Sequence, residues 1–372
     1  MTVEGPALEP PALTAYDKIV AKTQKQHRLF SAHWELTYRC NQRCTHCYLD
    51  VLAPAAPAPA ELTTAECLRV MDELAAMGVL NLTLSGGEIF VRRDLFEIAE
   101  YARGKQFLLR LFTNGIAITP TIADRIAALH PYAVEMSVYG AQPETHEIIT
   151  CVPRSFELTM RAFRLLRERG VRTAMKTPLM RENVREFHAL EALAAELGAM
   201  FRYDITISPK DTGGRAPLQH RLTDDDLLWL FRETMDPRLW VNRAPALDQP
   251  TCNMAGNALV IDPYGDIFAC IQGRRAIGNV RTLPLRTIWE ESPVWQELRQ
   301  LTLGALPVCG TCELRAFCVR CHGLALIEDG DLRGPCSVNC RDARLRRQVL
   351  VEKGLLPSDR AAPERVTLEV GD

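Results

Sequence analysis

The sequence predicts an α/β fold, a partial (β/α)6 TIM-like barrel followed by a smaller Cys-rich domain. Three observations carry this. Six apolar, β-branched runs alternate with helical stretches between residues 33 and 208. Glycines stand where those helices must end. Beyond Thr251 the composition shifts toward Cys, Gly and Arg, with few long helices. Alternating units of this kind build a parallel sheet with helical crossovers, and six of them fall short of the eight of a closed barrel.

Taken in order, the strands are His33–Tyr38, Val79–Ser85, Phe107–Phe112, Ala133–Tyr139, Val171–Thr177 and Met200–Ser208. Helices are expected near 63–77, 94–104, 120–129, 156–169 and 184–197. Thr63 with Glu66 fits a capping box, and Thr119-Pro120 fits an N-cap followed by Pro at the first helical position. Gly78, Gly104, Gly170 and Gly198 are expected to close helices in the left-handed conformation. Val51–Ala60 is almost all Ala and Pro and reads as an extended loop. A Gly/Pro loop over 210–219 and a helix near 223–233 precede a domain boundary at about 240. The expected division is an extension over 1–29, a barrel over 30–240, a Cys-rich domain over 241–345 and a tail over 346–372, polar and fraying from Leu356.

Hydrophobic residues make up 47% of the 372, enough for a sizeable core. A net charge of −2 leaves no electrostatic footprint for nucleic acid or an anionic membrane. No run is long enough for a transmembrane helix, and Met1–Pro11 lacks a basic-then-apolar signal pattern. The expected location is the cytoplasm, where thiols stay reduced and 13 cysteines are not a disulfide framework. They are clustered, three within 40–47 and six within 309–340, which points to metal. Cys67 reads as a small core residue and Cys151 as a loop thiol. His130, His146 and His188 have no ligand-like spacing and read as surface or capping residues.

Cys40, Cys44 and Cys47 pack three thiolates into eight residues, just past the first strand. Parallel α/β folds place their chemistry on loops that leave the C-terminal ends of strands. Closed zinc sites and ordinary Fe–S sites want a fourth ligand, and His46 would serve in a zinc knuckle. If the three hold a cubane cluster instead, one iron is left open to a small molecule. This C-x3-C-x2-C run, followed by Tyr48, resembles the signature of radical S-adenosylmethionine (SAM) enzymes. The resemblance implies a [4Fe–4S] cluster whose open iron is chelated by SAM and whose electron releases a 5′-deoxyadenosyl radical. Ser85-Gly86-Gly87-Glu88 ends the second strand, as the family requires. It implies that Glu88 receives the SAM ammonium, the two glycines allowing close backbone approach. By the same resemblance, Tyr48 joins the cofactor site, Ser137 resembles the residue that reaches the ribose, and Arg154 would meet the SAM carboxylate. Bland readings stand beside these: a hydroxyl satisfied within the barrel and a solvated loop charge. Thr113-Asn114-Gly115 reads as a turn, and Lys176 is expected to face the barrel interior or mouth.

The second constellation is Cys252, Gly265, Cys270, then Cys309-x2-Cys312-x5-Cys318-x2-Cys321, then Cys336 and Cys340. Alone, two C-x2-C pairs fit a zinc ribbon. After the first motif, the order resembles the SPASM domain with its two auxiliary [4Fe–4S] clusters, although that family has x3 before the cysteine that corresponds to Cys321. By order, Cys252, Cys270 and Cys321 would bind the first cluster and Cys309, Cys312, Cys318 and Cys340 the second. Cys336 is extra and could ligate either; the first cluster's fourth ligand could also be a non-cysteine residue or the substrate.

The resemblance implies an oxidoreductase that modifies a peptide or protein, fed by an external electron donor such as flavodoxin or ferredoxin. A small-molecule transformation, of a tetrapyrrole side chain or an aminoglycoside, is the alternative, and a zinc-stabilised binding protein lies outside the class. The first 30 residues are too short for a leader-peptide-binding domain, so a peptide substrate would call for another docking surface or a separate leader-binding protein. The sequence singles out no catalytic acid or base.

Overall fold

The structure, a computed structural model, describes residues 14–357 apart from 242 and 244. The expected fraying from Leu356 lies almost wholly outside the described residues.

Helix α1 (Ala15–Lys25) precedes the sheet and is closed by a capping box between Thr14 and Asp17. The β/α units follow as β1 (Ser31–Thr37), α2 (Thr64–Ala76), β2 (Asn81–Gly86), α3 (Leu95–Gly104), β3 (Leu108–Thr113), α4 (Pro120–Ala128), β4 (Ala133–Ser137), α5 (Pro143–Thr150), α6 (Ser155–Glu168), β5 (Thr173–Pro178), α7 (Phe187–Leu197) and β6 (Met200–Asp204). All six strands run parallel in the order β6-β5-β4-β3-β2-β1, the expected partial barrel. The caps on α2 at Thr63 and on α4 at Thr119 form as the sequence predicts. Gly78, Gly170 and Gly198 adopt positive φ, whereas Gly104 does not; behind α3 the left-handed residue is Gln106, with φ 67°.

Side chains alternate between two faces along β1, both covered from Trp34 onward. Trp34 and Leu36 are buried in the main core, which reaches α2 through Val70 and Met71. His33 and Glu35 have the opposite parity and face the barrel interior. Glu135 on β4 and Lys176 on β5 complete a polar interior around the Phe112 ring on β3. His33 meets Phe112 edge-on at 5.7 Å, and the Lys176 ammonium lies 3.6 Å from the Phe112 ring centre and 3.8 Å from Glu135. Lys176 therefore takes the interior position expected of it.

The chain continues through α8 (Asp224–Thr234), β7 (Ala258–Ile261), β8 (Asp266–Phe268), β9 (Gly278–Asn279), α9 (Leu285–Glu291), α10 (Pro293–Arg299), α11 (His322–Asp329) and α12 (Ser337–Glu352). The Cys-rich part does not stand apart from the barrel sheet. β7 pairs in parallel with β1, Ser31 to Ala258 through Trp34 to Ile261, and β8 and β9 add antiparallel strands beyond it, giving a sheet of nine strands among the described residues. Nor does a tail begin at 346. α12 runs through that point for 16 residues, with Val349 and Leu350 buried. Among the described residues no helix is long and apolar enough to cross a membrane.

Candidate active site

The triad loop leaves the C-terminal end of β1 and is pinned on several sides. From the Ala/Pro-rich segment, Leu52 accepts from Cys40 N (2.8 Å) and donates to the Tyr38 carbonyl (2.9 Å). The Arg39 guanidinium donates to the carbonyls of Ala53, Pro54 and Ala56, so this extended loop is tied down by one side chain. The end of α5 accepts from Arg43 N and Thr45 N through the carbonyls of Thr150 and Ile149. Asn114 Nδ2 reaches Asn41 Oδ1 at 2.7 Å. The turn expected at Thr113–Gly115 is thus part of the loop's support.

The two glycines also make room within the chain itself. A Cβ on Gly86 would lie 2.2 Å from the Thr37 carbonyl oxygen, and one on Gly87 would lie 2.4 Å from the Arg39 carbonyl oxygen and 3.2 Å from Cys40 Cβ. They let the triad loop's own backbone cross the end of β2. Gly87 N and Glu88 N donate to the carbonyls of Thr37 and Arg39 at 2.8 Å each. Glu88 is fully buried. Its Oε1 accepts from Phe90 N (3.0 Å) and the Thr113 hydroxyl (2.7 Å), and its Oε2 from Asn114 N (2.7 Å). Three acceptor positions are filled from within the chain and one, on Oε2, is left. Burial raises its pKa against those hydrogen bonds, and among the described residues no cation pairs with it.

The triad thiols neighbour one another. Burial pushes Cys40 up to about 11 and raises Cys44 and Cys47, the nearby thiols adding to the shifts at Cys40 and Cys44. Buried thiols of this kind ionise when a metal takes the proton's place. Around them Gln42 Nε2, Thr45 Oγ1 and His46 Nδ1 are buried without a hydrogen-bond partner. The His46 ring stands edge-on to Tyr139 at 4.6 Å. Orphaned polar atoms on a thiol-bearing loop fit a bound polar cofactor. Sequence reasoning weighed His46 only as a zinc ligand; its place between Cys44 and Cys47 was the signal for more.

The remaining predicted positions divide. The Tyr48 hydroxyl donates to Glu35 at 2.7 Å and so turns inward. Ser137 ends β4 on the same face as Glu135, within the barrel. Arg154 has its side chain 73% exposed, and its guanidinium pairs with Glu157 at 3.1 Å. His146 is a correction. Far from lying at the surface, it is fully buried, accepts from Tyr139 N at 3.1 Å and stacks on the Tyr139 ring. Cys67 is a buried core residue and Cys151 is exposed, as read.

The other cysteines sort into two places. Cys252, Cys270 and Cys321 line a cavity of about 590 Å³ that also holds His33, Thr83 and Asp204, so it joins the barrel interior to the Cys-rich part. Cys309, Cys312, Cys318 and Cys340 line a second cavity of about 220 Å³. Cys336 lines neither; it is buried in an apolar cluster with Leu324 and Ala325, against which Cys321 packs. Among the described residues no three Cys, His, Asp or Glu side chains converge as the ligands of one metal ion.

A profile of the radical SAM superfamily matches residues 34–194, and one of the SPASM iron–sulfur cluster-binding domain matches 252–313, ending ahead of Cys318. The mycofactocin maturase MftC of Mycolicibacterium smegmatis is 30% identical over 300 residues, 74% of each chain. The AdoMet-dependent heme synthase of Methanosarcina barkeri is 28% identical over 325 residues, 80% of this chain and 92% of that one. The crystal structure of Streptococcus suis SuiB bound to the precursor peptide SuiA has the same fold, with a TM-score of 0.67 and 15% identity over 87% of this chain and 80% of that one. Since the 30% relative spans both parts and the two profiles fall in the family's order, this chain belongs to the radical SAM superfamily, as an iron–sulfur and SAM-dependent oxidoreductase with a C-terminal SPASM domain.

Proposed function

We propose that the protein matures a peptide or protein, with Cys40, Cys44 and Cys47 holding a [4Fe–4S] cluster whose fourth iron binds SAM. The observation that carries this is the triad at the end of β1, Cys40 buried and Cys44 and Cys47 half-buried, on a loop with unpartnered polar atoms. Such a cluster, once bound, supplies the electron that cleaves SAM to a 5′-deoxyadenosyl radical. The chain's own residues bind and orient. The acceptor position left on Glu88 Oε2 suits the SAM ammonium, Ser137 lies on the interior face of β4, and Gly86 and Gly87 hold Cys40 close to that turn. Tyr48 supports the loop from below. Arg154 would have to leave Glu157 to reach SAM.

Two auxiliary [4Fe–4S] clusters would occupy the two cysteine-lined cavities. Cys252, Cys270 and Cys321 would hold the first, and Cys309, Cys312, Cys318 and Cys340 the second. Cys336 lies outside that cavity but packs with Cys321 rather than with the second set, which favours it as the first cluster's fourth ligand. Asn339 Oδ1 accepts from Cys321 N at 2.8 Å, which ties the first turn of α12 to that same place. A flavodoxin or ferredoxin would deliver electrons, and a separate leader-binding protein could present the substrate. The maturase relative favours a peptide or protein substrate. The small-molecule reading keeps one support, the match to 92% of the heme synthase.

The test is anaerobic reconstitution of the wild type and of the triple variant Cys40→Ala/Cys44→Ala/Cys47→Ala. Wild type is expected to hold about twelve irons, three cubanes ligated by cysteine. The triple variant should lose about four of them and all formation of 5′-deoxyadenosine. Normal SAM cleavage by the triple variant, or stoichiometric zinc in the wild type, rejects the reading.

A further inference from the structure

Glu35 is a fully buried carboxylate for which radical chemistry at the triad has no evident need. It sits on the interior face of β1 and accepts four hydrogen bonds. The Arg274 guanidinium supplies two, Nη2 to Oε1 at 2.6 Å and Nη1 to Oε2 at 2.8 Å. The Tyr48 hydroxyl adds one to Oε1 at 2.7 Å and the Tyr38 hydroxyl one to Oε2 at 3.1 Å. The carboxylate's acceptor capacity is then filled.

The three donors come from places that matter. Tyr48 follows Cys47 directly, and Tyr38 lies two residues before Cys40. Arg274 lies four residues after Cys270, in the turn that leaves the Cys252–Cys270–Cys321 group. One ion pair therefore spans the triad loop and the auxiliary cysteines. Arg274 is itself held, donating Nε to the Ile271 carbonyl at 2.8 Å and Nη1 to the Tyr38 hydroxyl oxygen at 2.9 Å. Its guanidinium carbon lies 5.6 Å from the Tyr48 ring centre and 5.3 Å from that of Phe268.

The charges are stable. Burial pushes Glu35 up, but the charge and hydrogen bonds of Arg274 outweigh it and hold the carboxyl below its ordinary value. Burial pulls Arg274 down, and Glu35 more than reverses that. A planar fork is what this geometry uses, and an ammonium cannot reproduce it.

We infer that Arg274 is a positioning residue: through Glu35 and Tyr48, the auxiliary segment sets the triad loop in the shape that binds SAM. The inference rests on the proposed role of the triad. Removing Arg274 alone leaves a buried, uncompensated carboxylate that pulls on Tyr48 and Tyr38. Removing both charges spares the fold that strain but still frees the loop from the auxiliary segment.

The experiment uses anaerobically reconstituted full-length protein as wild type, Arg274→Met, Arg274→Lys, Glu35→Gln and the Glu35→Gln/Arg274→Met double variant. Readouts are iron content, SAM dissociation constant, and the change in the reduced triad cluster's electron paramagnetic resonance spectrum on adding SAM. Arg274→Met is expected to keep its iron, bind SAM about tenfold or more weakly, the scale of losing a charge-assisted contact, and give an altered spectral response. Arg274→Lys should recover part of the affinity. The double variant should be no weaker than Arg274→Met, because both changes act at one junction. Where Arg274→Met fails to fold, the double variant, with no unpaired buried charge, takes its place. Unchanged SAM affinity and an unchanged spectral response in the folded variant overturn the inference. Failure of the wild type to bind SAM at all would instead overturn the proposed function.

Discussion

Glu88 carries two duties in one side chain. Its hydrogen bonds to Phe90 N, Thr113 and Asn114 N lock the end of β2 to the end of β3, and its remaining acceptor position is the one offered to SAM. Glu88→Gln keeps the volume but turns an acceptor into a donor facing backbone N–H groups, and it removes the charge that would meet an ammonium. SAM affinity is expected to fall about tenfold, since a hydrogen bond to a charged group is worth roughly 1.5–3 kcal/mol. An unchanged dissociation constant would reduce Glu88 to a structural tie between the two strands. The residue type and its place after β2 were legible in the sequence. The packing role of the glycines was not, because the atoms they make room for belong to the end of β1 and the loop after it, about fifty positions earlier.

Among the elements, α5 escaped the sequence reading. Its eight residues carry too few apolar positions to show a helical period, and its burial comes from what packs on it. His146 on this helix stacks against Tyr139, and burial lowers its pKa to about 4. The sign of the pH effect follows. Unfolded chain protonates this imidazole near its ordinary value of 6.5, and the native state resists until about pH 4, so between these values the unfolded state binds more protons. Stability is therefore expected to fall as pH drops from about 6.5 toward 4. Denaturant midpoints at pH 7.5 and pH 5 should differ less in His146→Gln than in wild type. An equal drop in both proteins would shift the effect to other buried groups, such as His33, which burial also lowers to about 4. The capping box on α2, the N-cap of α4 and most left-handed glycines were readable ahead of the structure because a helix end is a local problem, solved within a few residues.

On the scale of the whole molecule, the barrel and the Cys-rich part share one sheet. Without β7, the edge of β1 would lose its ladder from Ser31 to Trp34, the bonds from Phe30 N and Ser31 N to the Asn257 carbonyl, and the guanidinium that neutralises Glu35. A fragment ending at residue 250 is expected to aggregate on size exclusion, and co-expression of 251–372 to return it to solution. A monomeric fragment that still binds SAM would instead make the C-terminal part an independent module. The sequence by itself determined the order of strands and crossover helices, the triad, the Gly-Gly-Glu turn and the grouping of the cysteines. Each depends on periodicity, composition or spacing within a short stretch of chain. Tertiary structure alone decided the pairing of β1 with β7, the joining of Glu35 to Arg274, the turning of Arg154 toward solvent and the packing of Cys336 beside Cys321. Apart from Arg154, whose exposure depends on how the folded chain surrounds it, these are contacts between distant residues or across a fold in the chain, and spacing along the sequence leaves them undetermined.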